Sequence, residues 1–464
     1  MGKKTFDVIS PVNDHVYVQR EYANAQQIQS AFDNARRAFE QWKIRPLEER
    51  IALCLRITDY FAANKDAIAQ EITWQMGRPI KYSGGEVNGF IERTRAMLHI
   101  APQKLRLIEV PPQTGFKRYI RREPLGAVFS MTPWNYPFLT AVNGVIPALV
   151  AGNIVIMKAS AQTPLTAERI ANAGVAAGLP DGVLQFLHLD HQSTAEILRK
   201  APLNYVGFTG SVAGGRAVEH ALAGRFIESG LELGGKDPAY VRADANFEHA
   251  VTNLVDGAFF NSGQSCCGIE RIYVDQSIFT KFVEAYAAEV KKYVLDDPTN
   301  GDTTLGPMVR AEAADFVRAQ IREGLKQGAR SLIDTRQFLR DQGAYLPPQV
   351  LIDVNHSMRV MRDESFGPVV GIMPVKNDAQ AIALMNDSAY GLTAAVWTQD
   401  VEAAARIGEN LHTGTVFMNR CDYLDPYLAW TGVGDSGRGC TLSEIGYERL
   451  TRPKSFHLRL TTAG

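Results

Sequence analysis

The chain has 464 residues, 45% hydrophobic and 21% charged, and its 49 Lys+Arg against 50 Asp+Glu give a formal net charge of -1. An apolar fraction of this size supports a large buried core divided among about two to four domains, and excludes a disordered chain. A balanced charge lacks the basic excess that draws a protein to a nucleic-acid backbone or an anionic membrane, so the expected partner is a small molecule.

The N-terminal run MGKKTFDVIS has no apolar h-region behind its lysines, and Phe6 stands where a myristoylation signal needs Ser or Thr, so neither export nor lipid anchoring is expected. Ile28, Ala31, Phe32, Ala35, Phe39 and Trp42 recur at helical spacing, and Pro46 opens a second helical run through Ile51, Leu55 and Ile68. The Pro111–Pro112 pair and the basic cluster Lys117, Arg118, Arg121 and Arg122 mark an excursion from this first part, read as a solvated strand face.

From residue 126 short apolar runs alternate with helical periodicity. Ala127–Met131, Ile154–Met157, Val183–Leu189, Tyr205–Phe208 and Ala239–Val241 read as strands, with Leu165–Ala177 and Arg216–Leu222 as helices. That alternation predicts βαβ units and a mostly parallel sheet. The most apolar stretch, Ala141–Met157, is broken by Asn143, Gly144, Pro147, Gly152 and Asn153, which makes it core and not a membrane span. After Cys266 a second series follows, with strands at Arg271–Val274, Val369–Val375, Thr393–Trp397 and Val416–Met418 and helical periodicity at Ile278–Tyr293, Ala314–Lys326 and Val401–Leu411. No long linker or repeat separates the two α/β halves, so they are expected to pack tightly.

Five cysteines form an odd, sparse set without a CxxC pair, which argues for a reducing, cytoplasmic setting and against a disulfide framework. His188 and His191 have no acidic or cysteine partner motif, and no metal is expected.

Two glycine patterns imitate nucleotide motifs. Gly432, Gly434 and Gly437 satisfy GxGxxG but follow no clear strand and open no helix; Gly230, Gly235 and Lys236 satisfy GxxxxGK but lack the hydroxyl that would hold Mg²⁺. The informative residues are distributed. Asn135, in SMTPWNYP, offers a side-chain amide to a developing oxyanion. Lys158 ends a strand, where open α/β sheets bind their ligands. Gly210 and Ser211 precede a helical run whose free N–H groups suit a phosphate. Cys266 lies in a Gly/Ser-rich loop and suits a nucleophile, and Glu232 suits activation of a water.

Over essentially its whole length the chain resembles the NAD(P)-dependent aldehyde dehydrogenase superfamily. WNYP, FTGS, ELGGK, GQSC and ESFGP occur in that family's order, with Glu232 and Cys266 at the separation of its catalytic pair. The resemblance implies two Rossmann-like α/β domains, for cofactor (1–105 and 125–233) and catalysis (234–450), plus a small β oligomerisation element (106–124 and 451–464). It implies a homodimer or homotetramer. It also implies that Cys266, not Cys267, attacks the aldehyde, that Asn135 and the Cys266 N–H hold the oxyanion, and that Glu232 activates water against the thioester. Thr132, Trp134, Lys158, Gly210, Ser211, Leu233, Glu364 and Phe366 fall at cofactor positions: Lys158 at the adenosine ribose, Ser211 at the pyrophosphate, Glu364 at the nicotinamide ribose and Phe366 beside it.

Three positions depart from the family. Ala161 stands where many NAD-preferring members carry a ribose-binding acid, so NADP is expected to serve at least as well as NAD. Asn143 and Phe260 stand where semialdehyde-specific members carry arginines, so these two sites anchor no carboxylate; with Tyr136 and Trp430, Phe260 predicts a tunnel for apolar or aromatic aldehydes. Gly144 and Thr441 replace a proton-relaying Lys and acid, so deacylation is expected to be slow or relayed by other groups. The alternatives are a coenzyme A-acylating enzyme, against which Glu232 weighs, and a succinate-semialdehyde-type dehydrogenase with a different anion clamp.

Overall fold

The apolar runs after residue 126 are strands because both their faces are covered. In the computed structural model, which describes residues 4–461, Ala127–Thr132 and Ile154–Ala159 are buried along nearly their whole length, the pattern of a parallel sheet packed on both sides. Residues 1–3, part of the N-terminal expectation, and 462–464, the end of the expected oligomerisation tail, lie outside the described residues.

The first sheet has six strands in the order Gly437–Arg438, Glu228–Glu232, Tyr205–Thr209, Ala127–Thr132, Ile154–Ala159, Leu184–Phe186. All neighbours are parallel except the first pair. The chain builds outward from Ala127–Thr132 on one side and then returns to its other side at Tyr205–Thr209. The carboxyl ends of those two strands therefore flank a switch point, where such a sheet opens its binding crevice.

The second sheet has seven strands, in the order Arg330–Ser331, Gln349–Ile352, Val369–Val375, Ile269–Asp275, Asp237–Val241, Thr393–Trp397, Thr415–Met418. It too is parallel but for its first, antiparallel pair. A third sheet pairs Thr451–Arg459 along Phe116–Pro124, with Ile108–Glu109 on the other edge, all antiparallel. The two Rossmann-like α/β units and the small β element thus match the expected fold class.

Local chemistry sets the helix ends. Ala25–Trp42 starts on a capping box made by Asn24 and Gln27, and Pro46 precedes Leu47–Ala63. The apolar stretch 141–157 resolves into the end of helix Pro137–Val150, a turn in which Gly152 takes φ 96, and the strand Ile154–Ala159. One core cluster joins the N-terminal helices to the first sheet and also takes in Trp430, Leu442, Tyr447 and Leu450, so the stretch before the last strand folds back over the first unit.

Three local readings change. The expected strand Val183–Leu189 shortens to Leu184–Phe186. The basic cluster is not one solvated face, because the pleat of Phe116–Pro124 alternates it: Lys117 and Arg121 are exposed while Arg118 and Arg122 are half-buried on the opposite side. The GxGxxG run forms the two-residue strands Val433–Gly434 and Gly437–Arg438, the latter edging the first sheet. Among the described residues no helix is long and apolar enough to cross a membrane.

Candidate active site

Cys266 is delivered by a forced reversal of the chain. Helix Phe247–Phe259 runs into a turn in which Asn261, Ser262 and Gly263 take φ 53, 57 and 70 in succession. Left-handed conformations cost a non-glycine residue free energy, so the surroundings must hold them. Here Ser262 Oγ donates to the Gly306 carbonyl (2.8 Å), Gln264 Nε2 to the Asn261 carbonyl (3.0 Å), and the Val309 N–H to Gln264 Oε1 (2.8 Å). Gly263 has a second constraint, since a Cβ there would lie 2.3 Å from the Gly367 carbonyl oxygen.

Adjacent Cys266 and Cys267 sit in different surroundings. Cys266 is half-buried, and its N–H makes no hydrogen bond to the protein. Cys267 is buried; its thiol donates to Asp422 Oδ1 (3.0 Å), to which Ser265 Oγ also donates (2.7 Å). Its contact with the Cys266 thiol, followed by burial, pushes the Cys267 thiol well up, so it stays protonated.

Asn135 reaches the same point from the end of strand Ala127–Thr132. Its Nδ2 donates to the Gln264 carbonyl (3.1 Å), which fixes the amide and leaves a second N–H. Its carbonyl accepts from Arg78 Nη2 and from Asn261 Nδ2 (3.4 Å). Arg78 is buried against Glu86, whose Oε1 accepts the first N–H groups of helix Pro137–Val150 from Phe138 (2.7 Å) and Leu139 (3.2 Å).

Glu232 ends strand Glu228–Glu232 and holds two hydroxyl donors, Thr441 Oγ1 at 2.5 Å and Thr209 Oγ1 at 3.2 Å. Burial raises its pKa against the pull of these hydrogen bonds and of the Arg93 charge. Thr441, expected to break a proton relay, is therefore bonded directly to the carboxylate. The small cavity behind it is lined by Gly144, Thr132 and Thr140.

Two larger cavities share Cys266, Glu232, Thr140 and Thr209. The first, about 570 Å³, is lined by Trp134, Gly210, Ser211, Leu233, Glu364 and Phe366 together with Asn135. Ser211 caps helix Val212–Leu222, accepting from Gly214 N (3.1 Å), while Val212 and Ala213 of its first turn line the cavity, an arrangement that suits a phosphate. The Gly235 N–H donates to Glu364 Oε1 (3.0 Å), and a Cβ at Gly234 would lie 2.3 Å from that carboxylate. Burial and the Glu270 charge push Glu364 up to about 7. Glu270 accepts the Ser365 (2.8 Å) and Phe366 (3.0 Å) N–H groups and pairs with buried Lys236, which is what the GxxxxGK lysine does here. Thr132 and Lys158 do not line this cavity; they end neighbouring strands, with Met131 paired to Lys158 and Thr132 to Ala159.

The second cavity, about 350 Å³, is lined by Tyr82, Tyr136, Phe260, Trp430, Arg93 and Asp422. The expected aromatics gather here, with Tyr82 packed at 5.2 Å on Phe260. Sequence reasoning missed Arg93, Arg78, Glu86, Thr209 and Asp422. Thr209 lies inside FTGS, whose Gly210 and Ser211 drew the reading; the other four lie in no motif and meet the site only through long-range packing.

An α/β fold with a thiol, an amide and a carboxylate converging between two cavities suits covalent chemistry at a carbonyl carbon, and the similarity to known proteins gives the class. The profile of the Aldehyde dehydrogenase family matches residues 1–456. An aldehyde dehydrogenase of Davidiella tassiana is 32% identical over 99% of this chain and 93% of its own length. A succinate semialdehyde dehydrogenase [NAD(P)+] of Escherichia coli is 32% identical over 94% of each chain. The crystal structure of a betaine aldehyde dehydrogenase from Staphylococcus aureus in complex with NAD+ superposes with a TM-score of 0.93 at 29% identity, covering 99% of this chain and 92% of that one. The chain belongs to the aldehyde dehydrogenase family, and with it to the NAD(P)-dependent oxidoreductases.

Proposed function

We propose that this chain oxidises an aldehyde to a carboxylic acid with NAD+ or NADP+, using Cys266 as nucleophile, Asn135 as oxyanion donor and Glu232 as general base. The observation that carries this reading is the convergence of the Cys266 thiol, the anchored Asn135 amide and the hydroxyl-bound Glu232 on adjoining cavities. The Cys266 sulfur bonds to the aldehyde carbon, and the oxygen that gains charge meets two preset donors, the free Asn135 N–H and the Cys266 N–H. NAD(P)+, when bound, serves as the acceptor of the hydride that leaves this carbon. Glu232 then takes a proton from water as its oxygen attacks the thioester, the C–S bond breaks, and the acid departs while the Cys266 thiolate is regenerated.

The residues of the first cavity fit the cofactor: Ser211 and Gly210 at a helix N-terminus for its pyrophosphate, Glu364 for a ribose, Phe366 and Trp134 as an aromatic edge, and Leu233 beside them, while Thr132 and Lys158, outside that lining near the ends of two neighbouring strands, are assigned the remaining contacts. Exposed Ala161 leaves no carboxylate to repel a 2′-phosphate, which supports the use of NADP. The aromatic second cavity supports an apolar or aromatic body in the substrate. Five free cysteines support a reducing, cytoplasmic setting, and the three-stranded sheet supports assembly as a homodimer or homotetramer.

The test is reduction of NAD+ and NADP+ by the purified protein with a panel of aldehydes, with and without coenzyme A. Acid formation independent of coenzyme A is expected, and Cys266→Ala is expected to abolish turnover while cofactor binding persists. Turnover by the variant, or an acyl-coenzyme A product, overturns the assignment.

A further inference from the structure

One wall of the second cavity carries donors without acceptors. Arg93, on helix Ile80–Lys104, is 8% exposed and makes no ion pair among the described residues. Its Nη1 donates to the Leu139 carbonyl (2.7 Å) and to Asn143 Oδ1 (3.2 Å), while Nε and Nη2 make no hydrogen bond to the protein. Asn143 Nδ2, at the same contact, is buried without a partner, and so is the Tyr136 hydroxyl. All three residues line this cavity. A guanidinium stays charged, and one withdrawn from water is costly unless an anion pairs with it.

The acids near Arg93 are engaged elsewhere or make no ion pair with it. Glu86 is committed to Arg78 and to a helix N-terminus. Glu232 is held by Thr209 and Thr441, and Asp422 accepts from Ser265 and Cys267. Glu92 and Asp256 line the same cavity, but both are exposed and neither forms an ion pair with Arg93.

We infer that Arg93, with Asn143 Nδ2 and the Tyr136 hydroxyl, binds a carboxylate on the substrate remote from its aldehyde, so that the substrate is an aldehyde acid with an apolar or aromatic body. This rests on the reading of the Cys266 cavities as an aldehyde oxidation site. A planar guanidinium with two free donors matches the two oxygens of a carboxylate, and the aromatic side chains enclose the rest of the molecule.

The test compares matched substrates: 4-carboxybenzaldehyde with benzaldehyde, and succinic semialdehyde with butanal. In at least one pair the acid is expected to have the higher kcat/KM, by about tenfold or more and mainly through KM, as a charge-assisted bidentate contact gives. Arg93→Met is expected to lower the acid-to-neutral ratio by about the same factor, with Arg93→Lys restoring part of it. A folded Arg93→Met variant that retains turnover with an unchanged acid-to-neutral ratio overturns the inference. So does a wild-type protein that treats the neutral partners equally well or better. Titration calorimetry with benzoate reads the site without turnover and decides the matter if the variant loses turnover altogether: binding is expected to the wild type and lost in Arg93→Met, and absence of binding to the wild type overturns the anion site. A protein that oxidises no aldehyde overturns the dehydrogenase reading as well, whereas one that oxidises neutral aldehydes without preference overturns only the carboxylate.

Discussion

Glu232 shows how single side chains tune this site. Burial favours its neutral form, while the Thr441 and Thr209 hydroxyls favour the carboxylate that a general base needs. Thr441→Val removes one donor to the charged form, so the pKa rises further. The limb of the kcat profile that climbs with pH is expected to move up by about one pH unit, the equivalent of a hydrogen bond to a charged group. A profile that stays in place removes Thr441 from the proton balance at Glu232. Gly263 is a second residue-scale test, since it combines φ 70 with the Gly367 carbonyl against its Cα. Gly263→Ala is expected to cost about 1–3 kcal/mol, read as a lower urea midpoint, and to lower kcat because the same turn presents Cys266.

At the scale of elements, the site hangs on a buried pair that joins three segments. Arg78 and Glu86 tie the start of helix Ile80–Lys104 to the Asn135 carbonyl and to the first turn of helix Pro137–Val150. Glu86→Gln keeps an acceptor for that turn but leaves the Arg78 charge unpaired. The expected loss is about 3–5 kcal/mol in chemical denaturation, with a fall in kcat because the Asn135 backbone loses its brace. An unchanged kcat at reduced stability makes the pair purely structural. Neither residue is visible to sequence reading, because Arg78 lies before the helix and eight residues from Glu86, so nothing in their spacing marks them as a pair until the neighbouring helix covers both.

At the scale of the molecule, the strand Thr451–Arg459 hydrogen-bonds along the whole of Phe116–Pro124 and completes a sheet of its own outside both α/β units. Unpaired strand edges recruit partners, and a sheet presented in this way suits subunit contact. Truncation after Leu450 is expected to dissociate the proposed homo-oligomer, read as a smaller mass in sedimentation velocity; an unchanged mass puts any interface elsewhere.

The sequence by itself determined the α/β alternation, the two halves and the motif residues Asn135, Glu232, Cys266, Glu364 and Phe366, because hydrophobic periodicity and motif order are local properties of the chain. Strand boundaries and the faces of the basic cluster needed the sheet, since pairing decides where a strand stops and which way each side chain points. At position 143 the sequence shows only that an arginine is missing. The tertiary structure stands Arg93 of the neighbouring helix against that asparagine, 50 residues away along the chain. It likewise brings Thr441 to Glu232 across a separation of 209. Such contacts belong to packing between elements, and no spacing along the sequence encodes them.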